Sequence, residues 1–378
     1  MTALPSAAGR TVIVLGSYAP SLTVFRGPLI ADLAALGYEV VAMAPDIAPD
    51  IAAELRRLGA RPVEVPVINN SLSPLSALRS LAALERRFRE IGPEAVIAYT
   101  VKPITLGALA AWRAKVPKVV ALVTGLGFAF TEGGGARRQV SRRVATFLYR
   151  RAFARCSAII FQNRDDRAFF EAGRIVPRGS AVTVVNGSGI DLDRFRPAPL
   201  PPEPRFLMIS RLLGDKGVRE YGKAAARLKR RYPDAVFQLV GYFDRSPDSI
   251  TEAELAAIEA GGVEFLGKTD DVRPAIAAAS IYVLPSYREG TPRSVLEAMA
   301  MGRPIVTTDA PGCRETVEEG VNGYLVPPRD PAALESALER FIRDPRLIAA
   351  MGARSRALAE RKYEVHAVNR AILAAAGL

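Results

Sequence analysis

The chain has 378 residues, of which 49% are hydrophobic and 24% are charged, a composition typical of a globular protein with room for two domains. No apolar run reaches the length of a membrane span, and the start "MTALPSAAGRTVIVLGS" lacks the features of a signal peptide, so we expect a cytoplasmic protein. Of the net charge of +12, almost all lies in residues 1–190, where 24 Lys and Arg face 13 Asp and Glu, against 27 and 26 in residues 191–378.

This charge asymmetry predicts an anionic partner for the first half, and the two candidates are nucleic acid and an anionic membrane surface. The two cysteines, Cys156 and Cys313, suit reduced thiols better than a disulfide framework.

Short apolar runs rich in β-branched residues alternate with helical patterns along the first half. The predicted strands are "TVIVLG" (11–16), "EVVAMA", "RPVEVP", "AVIAYT", "KVVALVTG", "SAIIFQ" and "AVTVV", and a helix-like stretch from Val24 to Leu36 follows the first of them. Continuous apolar strands that alternate with helices are typical of parallel sheets covered on both faces. Residues 1–190 are therefore predicted to form a basic Rossmann-like domain.

The stretch "DLDRFRPAPLPPEPRF" carries five prolines and can continue neither a helix nor a strand, so residues 191–204 are predicted to be a linker. After it the pattern restarts with "RFLMISR", "AVFQLVG", "VEFLG", "SIYVLPS", "PIVTTD" and "GYLVPP". Residues 205–360 are thus a second Rossmann-like domain, and residues 361–378 are a helix expected to cross back to the first. The predicted fold class is α/β, with two doubly wound domains facing a central crevice.

A turn followed by a helix start is predicted in "REGTPRSVLEAMAMG", residues 288–302. Thr291 suits the N-cap position, Pro292 suits the first helical position, and Gly302 ends the helix. The first N–H groups of the helix have no helical acceptor, and the helix dipole favours an anion beside them. These groups belong to Arg293, Ser294 and Val295. Gly290 allows such an anion to approach the backbone.

Two carboxylates accompany this helix start. Glu297 lies about four residues into the helix, roughly 6–7 Å along its axis from the first N–H groups. This distance is comparable to that between the diphosphate and the ribose of one nucleotide. A carboxylate accepts two hydrogen bonds and suits a cis-diol. Glu289, before the helix start, would face the sugar at the other end of the ligand. The alternative is that Glu297 faces solvent and Glu289 is a charge in a turn.

Two cations follow another predicted strand, in "ISRLLGDKG". Arg211 and Lys216 would bind a diphosphate between them. Considered alone, these two residues fit an interpretation as solvated loop charges equally well. Together with Glu289 and Glu297 they describe one nucleotide-sugar site in which leaving-group charge is stabilised without a metal. The "DLD" at 191–193 is interpreted as a turn or cap, and no Cys/His cluster has zinc spacing, so no cofactor is predicted.

At these residues the sequence resembles a known family. "EGTPRSVLE" and "SRLLGDKG" resemble the E-x7-E pattern and the Arg…Lys clamp of retaining glycosyltransferases of family 4, which have the GT-B fold. "GSYAPSLTVFRGPLI", "YTVKPITLG", "TGLGFAF", "VVNGSGIDLDRF" and "APGCRETV" are similar to bacterial enzymes that extend polyprenyl-diphosphate-linked sugars, for capsule, exopolysaccharide or protein glycosylation, the last adding N-acetylgalactosamine.

The resemblance implies transfer of a hexose or N-acetylhexosamine from a UDP-sugar with retention, without metal or protein nucleophile, at the inner face of the plasma membrane. It implies Glu289, Arg211 and Lys216 as catalytic groups and Glu297 as the ribose ligand. The further donor-binding residues that it implies are Gly16, Ser17, Gly241, Gly267, Lys268, Gly290, Thr291, Pro292, Arg293 and Ser294. On the acceptor side it implies Arg26 and Lys102. Many relatives carry a histidine near the donor sugar, whereas the single histidine here, His366, lies in the predicted C-terminal helix.

The stretch "GARRQVSRRVATFLYRRAFARC", residues 135–156, is basic with apolar residues at roughly helical spacing. Its arginines are Arg137, Arg138, Arg142, Arg143, Arg150, Arg151 and Arg155, and its apolar residues include Val140, Val144, Phe147, Leu148 and Phe153. Such a helix can lie on an anionic membrane. The alternative is a core helix with arginines in solvent. The two are compatible if the apolar face is core while the arginines meet lipid headgroups.

Three functions compete at this stage. The first is a membrane-associated glycosyltransferase that uses a UDP-sugar and a polyprenyl-diphosphate-linked acceptor, and the second applies the same chemistry to a soluble acceptor. The third, a nucleic-acid-binding protein, leaves the carboxylates and cations of the second half unexplained and lacks a basic motif interleaved with aromatic residues. The sequence assigns neither the sugar, the linkage, the acceptor glycan nor the oligomeric state.

Overall fold

The computed structural model describes residues 9–66, 74–126, 136–244, 246 and 248–378, with the backbone alone at residues 74 and 136–138. The chain divides into two compact units. The first unit comprises residues 1–188 and 366–378, and the second comprises residues 189–365, which include the proline-rich segment 191–204.

The first unit is built on a seven-stranded parallel sheet with the order β3-β2-β1-β4-β5-β6-β7. Its strands are β1 (Thr11–Leu15), β2 (Glu39–Ala44), β3 (Ala60–Glu64), β4 (Ala95–Tyr99), β5 (Lys118–Val123), β6 (Ala158–Phe161) and β7 (Val182–Val184). The inner strands are almost continuously buried because helices cover both faces of the sheet.

The helices of the first unit are α1 (Pro20–Val24), α2 (Gly27–Ala35), α3 (Pro49–Arg57), α4 (Pro74–Ile91), α5 (Ala108–Arg113), α6 (Ala136–Phe153) and α7 (Arg164–Ala172). A π-helical turn, Pro103–Gly107, leads into α5. One hydrophobic cluster joins the sheet to α4, α5, α6 and α7, and the cluster on the opposite face joins it to α1, α2, α3 and residues 368–378.

The second unit is built on a six-stranded parallel sheet with the order β10-β9-β8-β11-β12-β13. Its strands are β8 (Arg205–Arg211), β9 (Val236–Tyr242), β10 (Val263–Phe265), β11 (Ile281–Leu284), β12 (Ile305–Thr308) and β13 (Gly323–Val326). Its helices are α8 (Val218–Arg231), α9 (Glu252–Ala260), α10 (Arg273–Ala277), α11 (Arg293–Ala300), α12 (Pro331–Arg343) and α13 (Arg346–Tyr363), and α14 (Val365–Ala376) follows. Short 3₁₀ turns occupy Gly214–Lys216 and Arg314–Thr316.

The prediction of two doubly wound α/β domains is confirmed. The predicted helix from Val24 to Leu36 is interrupted, however, because α1 ends at Val24 and α2 begins at Gly27. Pro28 has no N–H to donate to the Val24 carbonyl, so one helix cannot run through this point. Among the described residues, no helix has both the length and the apolar character needed to cross a membrane.

Both sheets have a topological switch point, where consecutive crossovers change direction. It lies between β1 and β4 in the first unit and between β8 and β11 in the second. In open α/β sheets, ligands bind beyond the carboxyl ends of the strands at such a point. The loops after these four strands are therefore the expected positions of functional residues.

Candidate functional site

The central contact of the second unit lies at the β8/β11 switch point. Lys216, which follows β8, donates to Glu289 Oε1, which follows β11, with Nζ and Oε1 2.6 Å apart. Ser286 Oγ donates to the same oxygen at 2.8 Å. In the described part of the chain, Glu289 Oε2 accepts no hydrogen bond and can receive one from a ligand. The side chains of Lys216 and Glu289 are only 15% and 17% exposed, so the alternative of a solvated loop charge is wrong for Lys216.

The environment of Lys216 keeps its ammonium charged. Burial disfavours the charged form, but the Glu289 carboxylate and its hydrogen bond outweigh burial and raise the pKa of Lys216. The positive charge of Arg211 acts in the opposite direction. The switch point therefore presents a half-buried cation that is paired with the Glu289 carboxylate and also stabilised by the charge of Asp215.

Glycines allow the loops around this ion pair to approach one another. Gly217 has a φ of 76°, and a Cβ there would lie 2.2 Å from the Pro285 carbonyl oxygen. Gly312 has a φ of 75°, and its Cβ would lie 2.2 Å from the Glu289 carbonyl oxygen. The Glu289 N–H in turn donates to Pro311 O at 2.9 Å. The turn at 311–312 therefore supports the backbone that carries Glu289.

Helix α11 begins one residue later than predicted. Pro292 is the N-cap and Arg293 is the first helical residue, so the predicted N-cap role of Thr291 is wrong. The Thr291 hydroxyl donates instead to Gly290 O at 3.0 Å. The Val295 N–H was expected to face an anion, but it donates to Pro292 O at 3.1 Å. The physical reason is that Pro292 has extended backbone dihedral angles, and its carbonyl therefore accepts the first helical bond.

Glu297 is buried at 8% exposure, so the alternative in which it faces solvent is wrong. Its Oε1 accepts a hydrogen bond from Arg293 Nε at 2.9 Å, one helical turn earlier. Burial raises the pKa of Glu297, and the Arg293 guanidinium opposes this effect. A buried carboxylate that is held by a single arginine pair is an acceptor with capacity for further hydrogen bonds. The helix stop at Gly302 is confirmed, because α11 ends at Ala300 and Gly302 has a φ of 78°.

The other predicted donor-side residues lie at the carboxyl ends of β8 and β9, after β10 and at the start of α11. The exposed Arg211 guanidinium pairs with Asp244 at 2.7 Å rather than with either predicted carboxylate. Gly241 N–H donates to Gly267 O at 2.9 Å, so the structure brings these two glycines together. Lys268 is exposed and lies 3.8 Å from an Asp270 oxygen. Ser294 Oγ, at the start of α11, lies 3.5 Å from the carbonyl oxygen of Ile209 in β8.

Sequence reasoning missed three contributors to this site: Ser286, Asp244 and Gly312. The stretch "APGCRETV" contained a signal for Gly312, because a glycine after a proline favours a turn with positive φ. The contact of Asp244 with Arg211 joins segments 33 positions apart, and no local pattern predicts it. Ser286 lies only three positions before Glu289, and its contact depends on how the loop after β11 folds. The "DLD" of residues 191–193 is a turn as predicted, since Asp191 Oδ1 accepts the N–H groups of Asp193 and Arg194. Among the described residues, no group of three or more His, Cys, Asp and Glu is arranged to hold a metal.

The first-unit residues lie at the β1/β4 switch point. A Cβ on Gly16 would lie 2.4 Å from the Tyr99 hydroxyl, so the Tyr99 ring alone is sufficient to require glycine here. Ser17 Oγ and Thr100 Oγ1 lie 2.8 Å apart and join the ends of the two strands. Thr100 has a φ of 68°, a strained conformation of the kind that clusters at functional sites. The donor-binding role of Gly16 and Ser17 stays a prediction.

The two acceptor-side cations differ in their surroundings. Arg26 is buried, and its Cζ lies 5.0 Å from the centroid of the Tyr99 ring, so it is not a surface contact for lipid. Burial lowers the pKa of Lys102. His366 binds the Asp32 carboxylate on α2, with Nδ1 and Oδ1 2.9 Å apart.

Helix α6 differs from the predicted core-helix arrangement, whereas membrane binding by this helix stays a prediction. Phe153 is buried and Leu148 half-buried, but Val140, Val144 and Phe147 are exposed, so the apolar residues do not form one core face. The exposed arginines of the helix are Arg142, Arg143, Arg150 and Arg151. The side chains of Arg137 and Arg138 lie outside the described residues, as do "GFAF" and "TEGGG" at 127–135.

Two doubly wound units, of which the second gathers cations and carboxylates at its switch point, are typical of glycosyltransferases of the GT-B class. Comparison with known proteins gives the same class. Residues 203–344 match the family model described as glycosyl transferases group 1, and residues 23–187 match the glycosyl transferase 4-like domain. The chain belongs to this family of retaining glycosyltransferases.

Two curated relatives carry informative names. The N,N'-diacetylbacillosaminyl-diphospho-undecaprenol alpha-1,3-N-acetylgalactosaminyltransferase of Campylobacter jejuni is 31% identical over 337 residues, which cover 85% of this chain and 87% of the relative. The UDP-Gal:alpha-D-GlcNAc-diphosphoundecaprenol alpha-1,3-galactosyltransferase of Escherichia coli is 26% identical over 296 residues, or 74% of each chain.

Solved structures share the fold at low sequence identity. The sucrose-phosphate synthase of Thermosynechococcus elongatus superposes with a TM-score of 0.78 at 19% identity and covers 96% of this chain and 97% of its own. Anabaena HepE, in complex with UDP and glucose, gives a TM-score of 0.76 at 20% identity and covers 97% of this chain and 98% of its own. These likenesses support the GT-B fold.

Proposed function

We propose that this protein transfers a hexose or an N-acetylhexosamine from a UDP-sugar to a polyprenyl-diphosphate-linked saccharide, with retention of configuration, at the cytoplasmic face of the membrane. The observation that carries the proposal is the contact between Lys216 and Glu289 at the β8/β11 switch point. A cation that can bind a phosphate and a carboxylate that can bind a sugar hydroxyl lie side by side, where open α/β sheets bind nucleotides.

The geometry of the second unit supports the proposed donor roles. Lys216 and Arg211 bind the diphosphate, which also lies near the N-terminal end of α11. Glu297 receives the ribose hydroxyls, because it is buried and held in one orientation by Arg293. Glu289 uses Oε2 for a hydroxyl of the donor sugar while Oε1 stays with Lys216 and Ser286.

The chemistry that these groups support is leaving-group stabilisation without a bound metal. Negative charge grows on the diphosphate as the sugar–phosphate bond breaks, and the fixed ammonium of Lys216 is directed at that charge. The attacking hydroxyl gives its proton to the departing phosphate on the same face of the sugar. No protein nucleophile takes part.

The nature of the donor and acceptor is supported by the relatives. The Escherichia coli relative is named for UDP-galactose, and both curated relatives are named for diphospho-undecaprenol acceptors. The excess of basic residues in the first half suits an acceptor that carries a diphosphate and remains in an anionic membrane. Arg143 and Arg151 on α6 are exposed cations for the lipid headgroups.

The test is a transfer assay with a panel of UDP-sugars and polyprenyl-diphosphate-linked saccharides. One UDP-sugar should be consumed, with UDP released in proportion to the glycan that is extended. The Lys216→Ala variant should lose this transfer, whereas Lys223→Ala, which removes an exposed lysine of α8, should retain it. Transfer to a soluble sugar but to no lipid-linked one would favour the soluble-acceptor alternative. If neither the wild type nor the Lys223→Ala control binds UDP, the proposal is overturned.

A further inference from the structure

One face of helix α6 is apolar although it faces solvent. Val140, Val144 and Phe147 are 59%, 51% and 56% exposed, and their spacing places them on one side of the helix. We call these three residues the α6 ridge. Contiguous exposed apolar side chains with a basic border mark interaction sites rather than ordinary surface.

The α6 ridge is not part of the hydrophobic core of the first unit. The inner side of α6 is already packed through Ala145, Tyr149, Ala152 and Phe153, all of them buried in the core cluster. Tyr149 makes an edge contact with Phe170 of α7, with ring centroids 5.1 Å apart. The ridge is thus a second apolar stripe on the opposite side of the same helix.

Helix α4 adds to this outer face. Leu75 and Leu78, near its start, are 58% and 61% exposed. α4 and α6 lie in the same helix layer, because both pack on the same side of the sheet and against the segment 103–113. Both helices begin near the carboxyl ends of the parallel strands, because each belongs to a crossover connection that starts after a strand. The exposed leucines and the ridge therefore lie on the outer surface of one layer, toward one edge.

The arginines of α6 separate into two pairs. Arg142 lies over the ring of Phe169, with Cζ 5.8 Å from the centroid, and Arg150 donates to the carbonyl oxygens of Gly173 and Arg174 at 2.9 and 2.8 Å. These two arginines are engaged with α7 and the residues that follow it. The other two stay beside the ridge.

Arg143 and Arg151 border the ridge itself. The Cζ of Arg151 lies 5.2 Å from the centroid of the Phe147 ring, and Arg143 is exposed one residue from Val144. Aliphatic and aromatic side chains beside exposed cations fit the boundary between acyl chains and anionic headgroups. Aliphatic valines offer no stacking surface for bases, so this face does not favour nucleic acid.

We propose that the α6 ridge inserts into the acyl region of an anionic bilayer while Arg143 and Arg151 bind the lipid phosphates. The inference deepens the proposed function, on which it rests for the presence of a membrane. Surface attraction alone would be fully screened by salt, whereas an inserted ridge gives a second, salt-resistant component of binding.

The first experiment places a fluorescent reporter in the ridge. The chain has one tryptophan, Trp112, so Trp112→Phe gives a background in which Phe147→Trp is the only emitter. With vesicles of phosphatidylcholine and phosphatidylglycerol, its emission should shift to the blue and be quenched by brominated acyl chains. The matched control is Leu36→Trp in the same background. It sits at the end of α2 on the opposite face of the sheet, is also exposed, and should show neither effect.

The second experiment separates the apolar from the electrostatic component. Val144→Ser with Phe147→Ser should lower partition into these vesicles by about tenfold or more at every salt concentration, because two apolar side chains lose their transfer free energy. Arg143→Gln with Arg151→Gln should remove the salt-dependent part and leave the salt-resistant part. Leu36→Ser should partition as the wild type does.

Three results would overturn the inference. One is an unshifted Phe147→Trp spectrum in a protein that sediments with vesicles. Another is wild-type binding that high salt abolishes completely. The third is a lipid-free dimer, seen by sedimentation velocity, that the serine variant dissociates, because the ridge would then be an interface between two copies. UDP binding is measured separately by calorimetry, so that its absence would reject the proposed function without altering the vesicle result.

Discussion

Lys216 and Glu289 lie 73 positions apart in the chain and form one ion pair at the β8/β11 switch point, with Nζ and Oε1 2.6 Å apart. The sequence assigns them to different ends of the donor, the lysine to the diphosphate and the carboxylate to the sugar. Their contact implies that they work as a unit, because the carboxylate fixes the position of the ammonium. In the proposed donor complex, a diphosphate at Lys216 lies beside Glu289, and this contact sets the distance from phosphate to sugar.

Replacing Lys216 by alanine should slow turnover more than it weakens donor binding. The charge that the ammonium meets grows in the transition state, and loss of one such group costs on the order of 100-fold or more in kcat. Steady-state kinetics with Lys216→Ala, Glu289→Ala and the double variant measure this. The two losses should be far from additive because the groups are in contact. Unchanged kcat in a folded Lys216→Ala protein would contradict the assigned role.

Transfer should persist when divalent cations are removed. The ammonium of Lys216 and the N-terminal end of α11 supply the positive potential that a metal would otherwise provide. We expect most activity to remain in excess EDTA, measured as UDP release. A complete loss that magnesium or manganese restores would show that the phosphate site has been misinterpreted.

Glu297→Ala should weaken UDP binding. A hydrogen bond to a charged group contributes roughly 1.5–3 kcal/mol, which corresponds to about a tenfold to hundredfold increase in Kd. Calorimetric titration with UDP and, separately, with pyrophosphate distinguishes ribose recognition from phosphate recognition, since only UDP affinity should fall. Glu259→Ala, at an exposed position of α9, is the matched control. Equal UDP affinity in Glu297→Ala and wild type would exclude the ribose role.

The buried charge of Glu297 should also lower the free energy of unfolding at neutral pH. Burial raises its pKa above the usual 4.5 despite the opposing Arg293. A carboxyl with a raised folded-state pKa contributes stability that is present below the unfolded pKa and lost as the pH rises through the folded pKa. Glu297→Gln removes the charge and keeps the shape.

Glu297→Gln should therefore melt at a higher temperature than wild type near pH 7, although it binds UDP less tightly. This difference in unfolding temperature should disappear as the pH falls toward 4.5, because the carboxyl of the wild type is then neutral, like the amide of the variant. Scanning calorimetry at several pH values measures the difference, with Glu259→Gln as the control. If the two proteins unfold at the same temperature at pH 7, or if their difference does not change with pH, the raised pKa of Glu297 does not destabilise the fold.

The sequence predicts the fold well because both sheets are buried on both faces. Their strands are continuous apolar runs bounded by loops, and this pattern survives without tertiary information. The positions of Lys216 and Glu289 follow from the same rule, since both come directly after predicted strands. The start of α11 is misplaced by one residue because proline suits both the N-cap region and the first turn.

The sequence does not determine which helix face packs against the sheet or which long-range contacts form. α6 carries two stripes of apolar residues, one through Tyr149 and Phe153 and one through Val144 and Phe147, and periodicity alone cannot say which one faces the sheet. The Gly16 position is similar. A resemblance assigns it to the donor, whereas the structure shows that the Tyr99 ring, from a strand far along the chain, occupies the space that a side chain would need.

Gly312→Ala should impair transfer by displacing the backbone of Glu289. The added Cβ would lie 2.2 Å from Glu289 O and 2.6 Å from Gly290 O, and the backbone there has a φ of 75°. Alanine in this left-handed region costs roughly 1–2 kcal/mol by itself, so a loss of stability alone would be uninformative. Gly320 offers the matched control, because it has a φ of 72° in the same unit with nothing within 4 Å of an added Cβ.

Both variants should lower the unfolding temperature, but only Gly312→Ala should lower kcat for transfer, since only there does the new methyl group collide with the loop that carries Glu289. The difference between the two variants isolates the collision from the backbone strain that they share. The measurements are thermal unfolding and steady-state kinetics at a temperature where both variants are folded. If Gly312→Ala transfers sugar as fast as Gly320→Ala, the position of the Glu289 backbone does not control the reaction, and the role of this carboxylate at the donor sugar must be abandoned.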